Sequence, residues 1–241
     1  MKLLEVRAIS KSFKGLRAVS QASFDVAEHA IVALIGPNGA GKTTCFNVIA
    51  GVFEPDRGEI HFAGRHIHGL RPDQVCAAGI GRTFQIVKPF AGLSVLDNVI
   101  VGALQRERTV AGARGLSLRI LENLGLGAKK DLPAASLTLP DRKRLEVARA
   151  LATRPRLLLL DEVMAGLTPT ECDQMVEVFR ELNRADGLTI LLIEHVMRAV
   201  MALARHIVVL HHGEIIARGA PEEIVRDRAV LDCYLGEEAE V

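Results

Sequence analysis

The chain has 241 residues, 49% of them hydrophobic and 24% charged. That composition supplies a sizeable core and excludes wholesale disorder. Lys plus Arg total 30 against 29 Asp plus Glu, a formal net charge of +1; this argues against a nucleic-acid binder that works through a broad basic surface. No stretch approaches the roughly 18–20 consecutive apolar residues that cross a bilayer. The richest runs, residues 31–35, 157–160 and 190–193, are strand-sized. Met1-Lys2-Leu3-Leu4-Glu5 puts an acid where a secretion signal needs an apolar stretch, so a cytoplasmic chain is expected. Cys45, Cys76, Cys172 and Cys233 are far apart, without a C-x-x-C pair. They are expected to be free, reduced thiols.

In chain order, residues 3–9 and 22–26 read as strands, and residues 31–35 as a central strand buried on both faces. A helix follows over 41–50, with Gly51 as its stop. Residues 54–58 are turn-like and 59–62 read as a strand, as do 79–82. The block from about 87 to 153 is mostly helical, with apolar periodicity from Ser94, over 116–124 and over 141–152. Residues 106–115 read as a surface connection within it. Strand and helix then alternate: strand 157–160, helix 170–184, strand 188–193, short helix 196–203. Residues 207–210 and 214–217 pair through a turn near Gly213, and a helix begins at Pro221 with Glu222 and Glu223 in its first turn. The acidic tail 237–241 is expected to fray. The alternation predicts an α/β sheet core with an inserted helical subdomain.

Gly36-Pro37-Asn38-Gly39-Ala40-Gly41-Lys42-Thr43 fits G-x-x-x-x-G-K-[ST], after a predicted strand and at the start of a predicted helix. Glycines let successive backbone N–H groups converge on one point. Those groups and a helix N-terminus worth about half a positive charge can hold phosphates. Lys42 adds a full charge, and the Thr43 hydroxyl can ligate Mg²⁺. Leu157-Leu158-Leu159-Leu160-Asp161-Glu162 delivers two acids at the exit of a buried strand, read as neighbouring the P-loop strand. Asp161 is placed to hold Mg²⁺, and Glu162 to orient or deprotonate an attacking water.

With these two motifs the chain resembles the ATP-binding-cassette (ABC) ATPases from about residue 3 to 236. The resemblance implies a P-loop NTPase with a mixed sheet core, an N-terminal antiparallel β subdomain and an inserted helical subdomain. One domain is then expected over 1–241, with a catalytic core of 1–86 and 154–241 and the helical insert at 87–153. It implies a Q-loop at Thr83-Phe84-Gln85, with Gln85 contacting Mg²⁺ and water and facing the membrane partner. His195, in Ile193-Glu194-His195, corresponds to the switch histidine at the γ-phosphate. Phe13 falls where the family places an aromatic under the adenine, and Thr44 joins Thr43 among the nucleotide-binding residues. Four further stretches resemble the importer ATPases for branched-chain amino acids. They are Gly81-Arg82-Thr83-Phe84-Gln85, Leu93-Ser94-Val95-Leu96-Asp97-Asn98-Val99, Arg144-Leu145-Glu146-Val147-Ala148-Arg149-Ala150-Leu151 and Thr189-Ile190-Leu191-Leu192-Ile193-Glu194-His195.

The family signature L-S-G-G-Q is altered to Leu137-Thr138-Leu139-Pro140-Asp141. In the family this segment opens a helix that caps the γ-phosphate bound by the opposite subunit. Here both glycines are lost, and Pro140 has no N–H, although proline at a helix start is tolerated. Val163 stands where proline is usual, and Thr168 where the inter-subunit loop has Asp or Asn. His66, His68, His211 and His212 read as surface hairpin histidines rather than metal ligands.

The resemblance implies an ATPase using ATP and Mg²⁺, peripheral on the inner face of the cell membrane. Its partners would be transmembrane permease subunits, a second cassette in a homodimer or heterodimer, and indirectly an external solute-binding protein; no nucleic acid is expected. Branched-chain or related amino acids are the expected cargo. The competing readings are a weakly hydrolysing, nucleotide-gated cassette paired with a competent partner, a lipopolysaccharide-export ATPase, and a non-transport ABC ATPase.

Overall fold

The computed structural model describes residues 1–85 and 88–238. β1 (Lys2–Phe13) and β2 (Leu16–Ala27) form a long antiparallel hairpin. Both outrun their predicted spans. Register shifts after Val6 and Ile9 break the apolar alternation while the ladder continues. β3 (Ile31–Ile35) is wholly buried and leads into α1 (Lys42–Ile49). β4 (Arg57–Phe62) returns to β1, and the short β5 (Arg65–His66) pairs with β4. The antiparallel sheet therefore has the order β2-β1-β4-β5.

α2 (Pro72–Ala78) precedes β6 (Ile80–Arg82) and was not predicted. Proline in its first turn and Gly79 in the left-handed region bracket only seven residues, too few for a readable period. The helical block holds α3 (Val95–Ala103), α4 (Val110–Asn123) and α5 (Leu139–Ala152). Half of the expected surface connection at 106–115 is in fact the first turns of α4. The Thr109 hydroxyl caps it, accepting from the Gly112 amide at 3.1 Å, and Ala113 is buried. The expected boundary between insert and core, at residues 86 and 87, lies outside the described residues.

β7 (Leu157–Asp161), α6 (Pro169–Asp186), β8 (Thr189–Ile193) and α7 (Met197–Leu203) follow. β9 (His206–His211) and β10 (Glu214–Gly219) then form the predicted hairpin. The helix expected from Pro221 is a single turn, α8 (Pro221–Ile224), and a second helix, α9 (Arg228–Glu238), comes after it. The end of the expected frayed tail, residues 239–241, lies outside the described residues.

The main sheet has the order β10-β9-β3-β8-β7-β6, parallel except for β10. β8 thus separates the P-loop strand from the acid strand, which the sequence reading had as neighbours. The crossover through α6 inserts the later strand between the two earlier ones. Alternation divides the core. Ala33, Leu158, Leu160, Ile190 and Leu192 face the helical side. Val32, Leu34, Leu157, Leu191 and Ile193 face α1 and the antiparallel sheet. Both faces are covered, as a parallel sheet requires.

Phe46 of α1 is fully buried in the second of these cores. Phe46→Ala should destabilise the fold by about 3–5 kcal/mol, read as a lower denaturation midpoint at an unchanged denaturant slope.

Candidate nucleotide and catalytic site

The P-loop leaves the C-terminal end of β3 and turns into α1. Two glycines are obligatory there. Gly36 has φ +147°, and a Cβ on it would stand 1.9 Å from the Leu210 carbonyl oxygen. Gly41 has φ +103°, and its Cβ would stand 2.2 Å from the Ala18 carbonyl oxygen. Only bare backbone fits so close. Lys42 is buried, and its Nζ donates to the carbonyls of Gly36 and Pro37 at 2.7 Å each. The ammonium is therefore folded back over the loop at the start of α1. A cavity of about 570 Å³ opens on residues 38–44 and is also lined by Leu16, Arg17, Gln85 and Glu162. Thr43 and Thr44, at the start of α1, belong to its wall. Phe13 does not. It packs edge-on against Phe53, with ring centroids 5.1 Å apart. His212, in the β9–β10 turn, is exposed as expected, yet it also borders the cavity.

Asp161 ends β7, buried. Its Oδ2 accepts from Arg82 at 3.1 Å, and Arg82 also donates to Asn47 Oδ1 at 2.7 Å. The Asp161 amide donates to the Thr83 hydroxyl at 3.1 Å. Asp161 Oδ1 is buried without a hydrogen-bond partner in the protein. Burial raises the Asp161 carboxyl above its ordinary range, and the Arg82 guanidinium opposes the rise. An adjoining cavity brings Thr43, Gln85 and Asp161 together. A buried, unpartnered carboxylate oxygen beside a hydroxyl and an amide oxygen is an all-oxygen set suited to a hard cation such as Mg²⁺.

Glu162 sits in the left-handed region, φ +51°. Two bonds hold it there: its amide donates to the Ile193 carbonyl at 2.9 Å, and Lys143 Nζ of α5 donates to its carbonyl at 3.0 Å. Its carboxylate is gripped from both sides. Gln85 Nε2 donates to Oε2 at 2.7 Å, and His195 Nε2 stands 2.8 Å from Oε1. A carboxylate at this spacing accepts from whichever ring nitrogen carries the proton, and Nε2 is the one that faces it. The three residues predicted to be catalytic thus meet, although they follow three different strands.

Sequence reasoning assigned no role to Arg82, Thr83, Lys143 or Glu194. Each is charged or polar and lies inside or beside a quoted motif. Burial is the signal that singles them out, and it is visible only in the fold. Glu194 is buried; its Oε1 accepts from the Met164 amide at 2.9 Å, and its Oε2 has no partner. Burial raises its carboxyl to about 7. Burial also lowers Lys143, against the pull of Glu194 and Glu162.

The altered signature forms the start of α5, as tolerance of an early proline predicts. Leu137 is buried, Thr138 is at the N-cap position, and Leu139 is 47% exposed. Thr138 does not cap the helix. Its hydroxyl donates to Asp141 Oδ2 at 2.9 Å, and Lys129 bonds the same oxygen. Burial opposes the shift, yet those two bonds hold the Asp141 carboxyl below its usual range. Thr168 has a local duty. It starts α6 in a capping box with Glu171.

The raised Glu194 carboxyl has a stability consequence. The folded state keeps a proton between pH 4.5 and about 7 that the unfolded chain has released, so this stabilising contribution is lost as pH rises through about 7. Glu194→Gln mimics the protonated form. Its stability relative to the parent should improve by about 2–3 kcal/mol between pH 5 and pH 8, measured by urea unfolding at each pH.

Comparison with known proteins identifies the family. The ABC transporter family matches residues 19–165, and the branched-chain amino acid ATP-binding cassette transporter family matches residues 214–240. The high-affinity branched-chain amino acid transport ATP-binding protein LivG of Salmonella typhimurium is 39% identical, over 98% of each chain. BraF of Pseudomonas aeruginosa, of the same description, is 37% identical over 98% of each chain. The lipopolysaccharide export ATP-binding protein LptB of Acidithiobacillus ferridurans is 34% identical over 99% of each. Among solved structures, an ATP-binding cassette of an ABC transporter in its ADP conformation superposes with a TM-score of 0.89 at 30% identity, covering 98% of this chain and 99% of that one. With the family matched over residues 19–165 and a relative 39% identical over 98% of its length, the chain belongs to the ABC transporter family as an ATP-binding cassette, an ATPase subunit.

Proposed function

We propose that this chain powers the import of branched-chain or related amino acids by hydrolysing ATP on the inner face of the cell membrane. The observation that carries the hydrolytic assignment is the Glu162 carboxylate, held between Gln85 and His195 at the rim of the P-loop cavity. The substrate assignment rests on the relatives at 37–39% identity and on the match at residues 214–240. No helix among the described residues is long and apolar enough to cross a membrane. The translocation path then belongs to permease partners, with an external binding protein delivering the solute.

In this reading the amides of residues 36–43 and the Lys42 ammonium grip the phosphates, exchanging the carbonyl contacts Lys42 makes with Gly36 and Pro37. Thr43, Asp161 and Gln85 would hold Mg²⁺, which supplies charge neutralisation on the phosphates when bound. Glu162 keeps further lone pairs beside its two bonds, and these accept the proton of a water. His195 faces Glu162 through Nε2 and fixes that carboxylate's orientation. Phosphoryl transfer needs chiefly such positioning and charge. The helical block at 87–153 would carry the signature to a second cassette.

Glu162→Gln should lower turnover by about 10²–10⁴-fold with nucleotide still bound, and Lys42→Ala should lose nucleotide affinity. Phosphate release and equilibrium binding of a fluorescent ATP analogue read the two effects. Near-parent turnover in Glu162→Gln would remove the general base. In proteoliposomes with its permeases and binding protein, ATP should drive leucine uptake.

One observation favours a second reading, a weakly hydrolysing cassette paired with a competent one. Pro140 removes an amide from the first turn of α5, and the Thr138 hydroxyl is committed to Asp141. Turnover that stays low alone and rises on mixing with a second cassette would select it.

A further inference from the structure

β4 and β5 form the outer hairpin of the antiparallel sheet. Glu59 and His61 lie two residues apart on β4 and so share a face. The register sets His61 directly opposite His66 on β5, a spacing at which cross-strand side chains meet. The two rings are 4.0 Å apart by centroid and cross at 88°. The His68 ring lies 4.6 Å from that of His66. The sequence reading took His66 and His68 as surface hairpin residues and did not consider His61. Folding brings an acid to them. Glu59 Oε2 lies 3.5 Å from His66 Nε2 and 3.9 Å from His61 Nε2.

We propose that Glu59, His61 and His66 form a divalent transition-metal site, with Zn²⁺ as its ion and an open fourth position. Tetrahedral bonds of about 2.0–2.1 Å place ligand atoms about 3.3–3.4 Å apart. The Glu59–His66 pair already stands near that spacing, and His61, at 3.9 Å from Glu59, must close by about half an ångström. One ligand atom from each residue lies within 4.8 Å of the others. Among the described residues this is the sole group of three His, Cys, Asp or Glu side chains so arranged. Two imidazoles and one carboxylate suit Zn²⁺ better than Mg²⁺, which prefers an all-oxygen shell. The site takes no part in the nucleotide chemistry, and none of its residues lines the P-loop cavity.

The surroundings set its strength. His61 is largely buried, yet its Nδ1 has no hydrogen-bond partner. Such an outer partner is typically worth 10–100-fold in metal affinity, on the order of magnitude. The bound ion is therefore exchangeable. It staples β4 to β5, an edge strand of only two residues.

Calorimetric titration of the full chain with ZnCl₂ tests this, in excess Mg²⁺ and with cysteines capped by iodoacetamide. One equivalent of Zn²⁺ should bind. His61→Ala/His66→Ala removes two of the three direct ligands and should abolish the binding, and Glu59→Gln, which removes the anionic ligand, should weaken it by at least the roughly 10-fold that loss of an outer partner costs. His211→Ala/His212→Ala should bind as the parent does. Parent-like affinity in the His61/His66 variant would overturn the site, as would loss of binding in the His211/His212 variant. If the double variant does not fold, the exposed Glu59→Gln decides alone, and unchanged affinity there overturns the proposal.

Discussion

The parallel ladder of β7 on β8 governs the site. Leu157 pairs with Thr189 and, four steps on, Asp161 with Ile193. Both strands therefore end level, and the next residue of each, Glu162 and Glu194, leaves the sheet at one edge. β3 ends at the same edge one strand away, through its pairing with β8. Ligands in open α/β sheets bind outside the carboxyl ends of the strands, and here that edge receives the P-loop and both acids. A one-residue slip would turn every side chain of β7 to the opposite face. The leucines fill both cores in either register, so the register is pinned at the end of β7, where Asp161 meets Arg82.

Glu162 then depends on strain that its neighbours sustain. A left-handed backbone on a residue with a side chain costs on the order of 1–3 kcal/mol. The Ile193 carbonyl and the Lys143 ammonium offset that cost. Lys143 belongs to α5, the helix whose first turn is the altered signature. A shift of α5 therefore acts directly on the backbone of the proposed general base, inside one subunit. The pair Thr138 and Asp141 anchors the start of that helix, while Lys143 anchors its body. Loss of the two signature glycines leaves this second link intact.

The parts of the site legible in the sequence are those with fixed chemical demands. Gly36 and Gly41 are forced by backbone contacts that no Cβ survives, and Asp161-Glu162 follows four buried leucines. What stayed hidden depends on chain segments far apart. Arg82 meets Asp161 across 79 positions, and Gln85 meets Glu162 across 77. Strand order is also non-local, so β8 between β3 and β7 could not be read from runs of apolar residues. Short helices such as α2 fall below the length at which a period is readable. The start of α4 was masked by Gly112 and Gly115, whose low helix propensity the Thr109 cap outweighs.

Buried charge is the recurring cost of this arrangement, and each instance is handled differently. Asp161 spends one oxygen on Arg82 and leaves the other without a partner, and the residue lines a cavity shared with Thr43 and Gln85. Glu194 has only one backbone amide and shifts its carboxyl toward neutrality instead. Glu146 is likewise buried and raised, against the pull of Arg149. Lys143 stands among these acids and offsets part of their mutual repulsion. Replacing the set by apolar residues would relieve the desolvation, but it would also release Glu162 from its backbone tether. In the proposed mechanism this sheet edge also receives the phosphates, and that accounts for so much half-compensated charge where stability of the fold does not.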